Sequence, residues 1–294
     1  MDIVTRIERT LNSAFERAEG DGRSGPGGPP LLAAAMRHAV FPKGARIRPR
    51  LALAVAAACG EDDPAAAEGA AASIELLHCA SLVHDDLPCF DNADTRRGRP
   101  SVHRAFGEPI AVLAGDALIV LSFQTVVWGA ARSPERLAPL LLVLGAAAGT
   151  PCGIAAGQAW ECEPTADLGA YQRAKTGALF AAATTAGAAA AGADGRPWAT
   201  LGERLGEAYQ VADDIADVLS GGAELGKPCG QDAAHGRPNA ALTMGVEAAL
   251  RHLEQLAEAA AASIPPCPGA ASLAALTRRE ARRLLPKDLS QRAA

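Results

Sequence analysis

The sequence predicts an all-α fold, a single helical bundle over residues 1–294. Three observations carry that expectation. Hydrophobic residues make up 49% of the chain but aromatics only 4%, and the apolar mass is mostly alanine and leucine, which lose little freedom in a helix. The β-branched and aromatic residues that suit strands are sparse. Breakers recur so as to leave segments of about ten to twenty-five residues, a helical length, and no break has the composition change of a domain linker.

The elements follow in order. Ile3, Ile7, Leu11 and Phe15 recur every four residues and predict an amphipathic first helix. Glu19 to Pro30 is rich in glycine and proline and reads as a loop. Alanine-rich helices follow, separated at Gly60–Pro64, Pro88–Pro100, Ser133–Pro134, Gly192–Pro197, Gly221–Pro238 and Pro265–Gly269. Leu137 to Trp160 carries no charge and is long enough to span a bilayer. Pro139, Pro151, Thr150 and Gln158 interrupt it, and no positive-inside pattern flanks it. It is expected to be a buried core helix with no stable membrane insertion. Its glycines at 145, 149, 153 and 157 form a small-residue face for close helix approach.

Charge and thiols narrow the partners. The formal net charge is −5, so nucleic acid is not the expected partner. The seven cysteines include no CxxC pair, which argues against zinc. They read as reduced, small buried residues in a cytoplasmic protein.

Two acidic constellations carry the chemistry. In QVADDIADVL, Gln210, Asp213, Asp214 and Asp217 fall at i, i+3, i+4 and i+7 and share one helix face. That face is either a solvated acidic stripe or an inward cation site. The second constellation is HDDLPCFDNAD, with Asp85, Asp86 and Asp91. Upstream, His78, Ser81, Leu82 and Asp85 share a face, and Pro88 ends or kinks that helix beside the aspartates. Two facing carboxylate clusters repel unless a cation lies between them. Mg²⁺ commonly bridges carboxylates to substrate phosphates. Arg96, Arg97 and Arg99 follow at once, and Arg46, Arg48, Lys175 and Lys227 supply further positive charge of the kind that binds phosphate. No P-loop, dinucleotide fingerprint or catalytic triad stands out.

These motifs resemble those of the trans-polyprenyl diphosphate synthases over nearly the whole chain. DDLPCFD continued by RRGRP is similar to the family's first aspartate-rich motif, DDIAD to its second, and KGARIRP to its early basic motif. ELLHCASLVHDD, AGDAL, GQAWE, KTG and LGKP follow the family's order. The resemblance implies a prenyltransferase (isoprenoid synthase) helical bundle around a deep central cavity, and a homodimer. It implies Mg²⁺ held by Asp85 and Asp91 on one wall and Asp213 on the other, with Asp86, Asp214 and Asp217 close by. It places Arg96 and the catalytic Lys175, with Thr176, Gln210 and Lys227, at the allylic diphosphate. Arg97, Arg46 and His78 fall at isopentenyl diphosphate.

The reaction so implied is Mg²⁺-dependent head-to-tail condensation of isopentenyl diphosphate with allylic diphosphates, feeding isoprenoid pathways such as carotenoid biosynthesis. Chain length is read from the residues five and four before Asp85, which are Ala80 and Ser81. Family enzymes that stop at fifteen carbons tend to carry an aromatic floor there. Small residues favour geranylgeranyl diphosphate, with twenty carbons, over farnesyl diphosphate. Phe106, Phe123 and Trp160 are candidates for a deeper floor. Three departures stand out. Ala45 replaces a basic-motif lysine, with Lys43 two positions earlier; Glu161 stands where the family has aspartate; and Arg237-Pro238-Asn239 follows the second motif. A non-catalytic prenyl synthase subunit would typically lose one aspartate motif, and both are intact here.

Overall fold

Helix α1 (Ile3–Glu19) begins at Asp2, whose carboxylate accepts from the Val4 amide at 3.0 Å and the Thr5 amide at 3.1 Å, satisfying donors that a helix start leaves unpaired. The structure is a computed structural model and describes residues 2–20, 28–41, 44–165, 168–219 and 239–283. Ile7, Leu11 and Phe15 are buried as the spacing predicts. Next come α2 (Pro30–Val40), α3 (Ile47–Cys59) and α4 (Pro64–Asp85), then a hairpin of β1 (Thr95–Arg96) and β2 (Arg99–Pro100). Short α5 (Val102–Phe106) leads into α6 (Glu108–Gly129), α7 (Leu137–Ala148), α8 (Ile154–Trp160) and α9 (Leu168–Gln172). A π-helical segment, Arg173–Gly177, runs straight into α10 (Ala178–Ala190). The rest is α11 (Ala199–Leu219), α12 (Ala240–Met244), α13 (Val246–Ala262) and α14 (Ala270–Arg283). The fold is all-α, as the composition predicts.

The centre is α4, buried over most of its length. An alanine side chain contributes little hydrophobic stabilisation by itself, so an alanine-rich core must gain from close backbone approach. The α4–α6 pair shows how. A β-carbon on Gly69 would stand 2.9 Å from the Gly129 Cα, and Ser73 Oγ donates to the Ser122 carbonyl at 2.7 Å. At the other end the His84 ring lies over Gly115, where a β-carbon would meet Nε2 at 2.0 Å. The two helices are therefore antiparallel, with Ala80 about level with Leu118. A second core, with Val55, Phe180, Trp198 and Leu201, joins α3, α10 and α11. A third, with Val211, Ile215 and Leu253, joins α11 to α13.

Three expectations are corrected. Leu137–Trp160 is two helices, α7 and α8, not one core helix. Pro151 has no amide hydrogen to donate, and Gly149 and Gly153 flank it in the turn. Of the four glycines, 153 and 157 make close approaches: a β-carbon on Gly153 would stand 2.5 Å from the Ala146 carbonyl oxygen of α7, and one on Gly157 2.5 Å from the Lys175 amide nitrogen. Among the described residues, the helical stretch long and apolar enough to cross a membrane is instead Glu108–Arg132, of mean hydropathy 2.0, and one face of it packs on α4. Finally, Cys79 is buried, but Cys89, Cys152 and Cys162 are exposed. The Gly221–Pro238 break lies outside the described residues.

Candidate active site

The first wall is the C-terminal end of α4 and the chain that folds back over it. The Asp91 amide donates to the Asp85 carbonyl at 3.0 Å, and the Ala93 amide to the Asp86 carbonyl at 3.2 Å. These bonds satisfy carbonyls that a helix end leaves orphaned. They also return Asp91 to Asp85, so the Pro88-Cys89 turn brings the separated aspartates together. Acidic groups at a helix C-terminus oppose the helix dipole. Local stability therefore does not explain why they are there.

The RRGRP stretch forms a two-residue hairpin. Arg96 pairs with Arg99, and the loop residues Arg97 and Gly98 have φ of 53° and 73°. Positive φ at both loop residues is a type I′ pattern, uncommon for arginine. The turn separates its arginines. Arg96 Nε donates to Asp86 Oδ1 at 3.0 Å, and its terminal nitrogen pairs with the same carboxylate. The Arg97 guanidinium lies against Gly44 of the basic motif, where a β-carbon would be 2.8 Å from Cζ. Burial raises the Asp86 carboxyl above the usual carboxylate range, and the Arg96 bonds only partly reverse this.

The second wall is α11. Gln210, Asp213 and Asp217 are partly exposed, whereas Asp214 is buried. Asp214 accepts from Gln210 Nε2 at 2.9 Å and from the Ala240 amide at 2.7 Å. It ties α11 to the chain entering α12.

The π-helical RAKTG segment joins the walls. Lys175 Nζ donates to Asp85 Oδ1 at 3.1 Å and to Glu161 Oε1 at 2.6 Å. Its neighbour Thr176 donates to Gln210 Oε1 at 3.1 Å. One residue thus reaches the first wall and the next reaches the second. π-bulges are frequent at functional sites, and the close approach at Gly157 makes room for this one. Glu161 is held in turn by Gln158 Nε2 at 2.9 Å and the Tyr171 hydroxyl at 2.7 Å.

The basic motif divides differently from its sequence reading. Arg46 is 4% exposed and donates to Glu75 at 2.5 Å, Glu8 at 2.9 Å and the Val40 carbonyl at 2.8 Å. Its guanidinium is thus engaged within the protein. Arg48, read from sequence as a phosphate-binding charge but assigned to no substrate, stacks over Phe180 at 4.4 Å and has a buried Nε without a hydrogen-bond partner. Desolvation first, then the charges of Arg48, Arg97, Arg96 and Arg46, hold the half-buried His78 well below the ordinary histidine range. Glu75, Glu8 and Asp86 offset part of this positive charge. Lys43 and Lys227 lie outside the described residues.

The neutral His78 sets a pH dependence. The unfolded chain protonates His78 near pH 6.5 and the folded chain does not. Stability should therefore fall as pH drops below about 6.5. His78→Gln should flatten that acid limb in urea midpoints taken from pH 7.5 to 5. Equal acid slopes would count against the assignment.

Among the described residues no three acidic, imidazole or thiol groups stand close enough to hold a metal alone. The donors lining the two walls are carboxylate oxygens, the chemistry a hard cation takes. In this arrangement the cations against Asp85 are the Lys175 ammonium at 3.1 Å and, farther off, the Arg96 guanidinium at 3.9 Å. The residues fit Mg²⁺ completed by substrate oxygens.

Residues 29–265 match the family described as polyprenyl synthetase. The chain belongs to the polyprenyl synthetase family. It is 52% identical over 292 residues to a geranylgeranyl diphosphate synthase of Cereibacter sphaeroides, covering 99% of this chain and 100% of that one. It is 37% identical over 272 residues to a farnesyl diphosphate synthase of Geobacillus stearothermophilus, covering 84% and 87%. Among solved structures, a Helicobacter pylori geranyltransferase complexed with magnesium and isoprenyl diphosphate superposes with a TM-score of 0.79 at 28% identity, covering 95% of both chains. Membership in the polyprenyl synthetase family accounts for the paired aspartate walls and for the all-α bundle that carries them.

Proposed function

We propose that this chain is a prenyltransferase that condenses isopentenyl diphosphate with allylic diphosphates in the presence of Mg²⁺ and releases geranylgeranyl diphosphate. The observation that carries this reading is the joining of both aspartate walls through consecutive residues, Lys175 to Asp85 and Thr176 to Gln210. The higher identity to a geranylgeranyl than to a farnesyl diphosphate synthase favours twenty carbons, as does Ala80.

The chain's own groups do most of the work. Asp85, Asp91, Asp213 and Asp217 would hold Mg²⁺, with Asp86 fixed by Arg96 and Asp214 fixing the second wall. Bound Mg²⁺ supplies positive charge to the departing diphosphate. Lys175, Thr176, Gln210 and Arg96 bind the allylic diphosphate, and Lys175 exchanges Asp85 for a phosphate oxygen. Arg97, His78 and Arg48 receive isopentenyl diphosphate. Positive groups already in place stabilise charge as it develops on the leaving group. Alanine-rich walls exclude water from the allylic cation until the isopentenyl double bond attacks and a proton leaves.

The test is product mass from purified protein given Mg²⁺, isopentenyl diphosphate and dimethylallyl, geranyl or farnesyl diphosphate in turn. A twenty-carbon product lost on adding EDTA is expected. A fifteen-carbon product would overturn the chain-length reading alone. No product from any starter would overturn the enzyme.

The homodimer is proposed on α6 and α7. Val112, Leu113, Val120 and Val127 on α6 and Leu142 on α7 are exposed, Leu142 by 75%. Exposed apolar side chains in this number, although Asp116 and Gln124 are exposed among those of α6, are read here as an association surface. Val120→Asp should shift the mass by light scattering from dimer to monomer. An unchanged mass would place the interface elsewhere.

A further inference from the structure

Helix α4 carries a second carboxylate that the scheme above does not use. Glu75 precedes Asp86 by eleven residues, about 16 Å of rise along the helix. His78, Cys79 and Leu82 lie between them on the same face. Its side chain is 2% exposed. The same oxygen, Oε1, accepts from Arg46 at 2.5 Å and stands 3.8 Å from a terminal nitrogen of Arg97. Cys79 Sγ lies 3.8 Å from Glu75 and 4.0 Å from Arg97, closing the group.

The arrangement has a direction. A carboxylate this buried persists only if paired, and Arg46 supplies the pair. Arg46 is anchored at its far side by Glu8 of α1 and the Val40 carbonyl, so its place is fixed by the frame. Arg97 is different. It sits in a strained turn among other guanidiniums, whose repulsion acts to push it away. Glu75 is the charge that draws it back. A separation of 3.8 Å is longer than a hydrogen bond, so the contact steers Arg97 yet lets it be shared with a diphosphate oxygen. The I′ turn therefore sends neighbouring arginines to two carboxylates three turns apart, Arg96 to Asp86 and Arg97 toward Glu75.

We propose that Glu75 is a positioning residue for isopentenyl diphosphate, acting through Arg97 and held by Arg46 and Glu8. The inference rests on the prenyl-transfer reading above and names a residue that reading leaves without a role.

The test is Glu75→Gln, which keeps shape and removes charge. The expected result is a KM for isopentenyl diphosphate raised about tenfold, with kcat and the allylic KM within about twofold. In a cycle with Arg97→Lys, the double variant should be no worse than Arg97→Lys alone, because one residue acts through the other. A normal KM, additive losses in the cycle, or an equal fall in every constant would each overturn the proposal. If Glu75→Gln does not fold, the paired variant Glu75→Gln/Arg46→Gln removes both charges and reads the same constants. Wild-type turnover with an unshifted KM in the variant sinks this proposal alone. Absence of wild-type turnover sinks the reading beneath it as well.

Discussion

Replacing Asp85 with alanine is expected to lower kcat at least about a thousandfold, some 4 kcal/mol of transition-state stabilisation. The same change should not lower the melting temperature. Asp85 sits at the C-terminal end of α4, where a carboxylate opposes the helix dipole. Lys175, its partner, keeps Glu161 at 2.6 Å. Removing the aspartate therefore takes away a functional group that local stability does not require. Asp213→Ala on the opposite wall should behave alike in turnover. The checks are steady-state kinetics at saturating Mg²⁺ and a thermal melt followed by circular dichroism. Wild-type turnover in either variant would remove that residue from the metal site. A large loss of melting temperature in Asp85→Ala would mean that the aspartate holds the fold.

Ala80→Phe is expected to change the main product from twenty carbons to fifteen. Ala80 is 1% exposed on α4, five residues before Asp85 and about 7.5 Å from it along the axis. A ring placed there caps the pocket one isoprene unit early if its χ angles turn it toward the cavity. The competing outcome is overpacking of the α4–α6 core, which costs about 1–3 kcal/mol. Two readouts separate them. A shortened product with little change in melting temperature supports a cavity wall at Ala80. An unchanged product would assign chain length to another side chain. Phe123 is the structure's first alternative, since the antiparallel register places it on α6 one to two turns farther from the aspartates.

The legible parts of this molecule were those set by local chemistry. Helix α1 could be read from a four-residue apolar period, of which Ile7, Leu11 and Phe15 are buried while Ile3, at the helix start, is exposed. The end of α4 could be read from Pro88, and the breaks near Gly60, Ser133, Gly192 and Pro265 from residues that cannot continue a helix. The motif aspartates were visible as types and spacings, and Lys175 and Thr176 through the resemblance of KTG to the family's motif. What stayed hidden depends on the fold's long-range contacts. Arg46 and Arg48 are two residues apart in one motif, and only packing against Glu75 or Phe180 tells them apart. Glu161 was visible only as an acidic variant of a motif, and Tyr171 gave no signal. Their roles appear when the RAKTG segment adopts π geometry. The division of Leu137–Trp160 was foreshadowed by Pro151, but the uniform apolarity of the stretch outweighed it.

The Asp85–Lys175 ion pair has a thermodynamic corollary. On the proposed reading, a divalent ion approaching Asp85 must displace an ammonium tethered 3.1 Å away, an intramolecular competitor present at a high effective concentration. A diphosphate that draws Lys175 to itself removes that competitor. Metal and substrate then each raise the other's affinity by the same factor, as linkage requires. The cooperativity resides in a single side chain changing partners, and the helices that carry the two walls need not move to produce it.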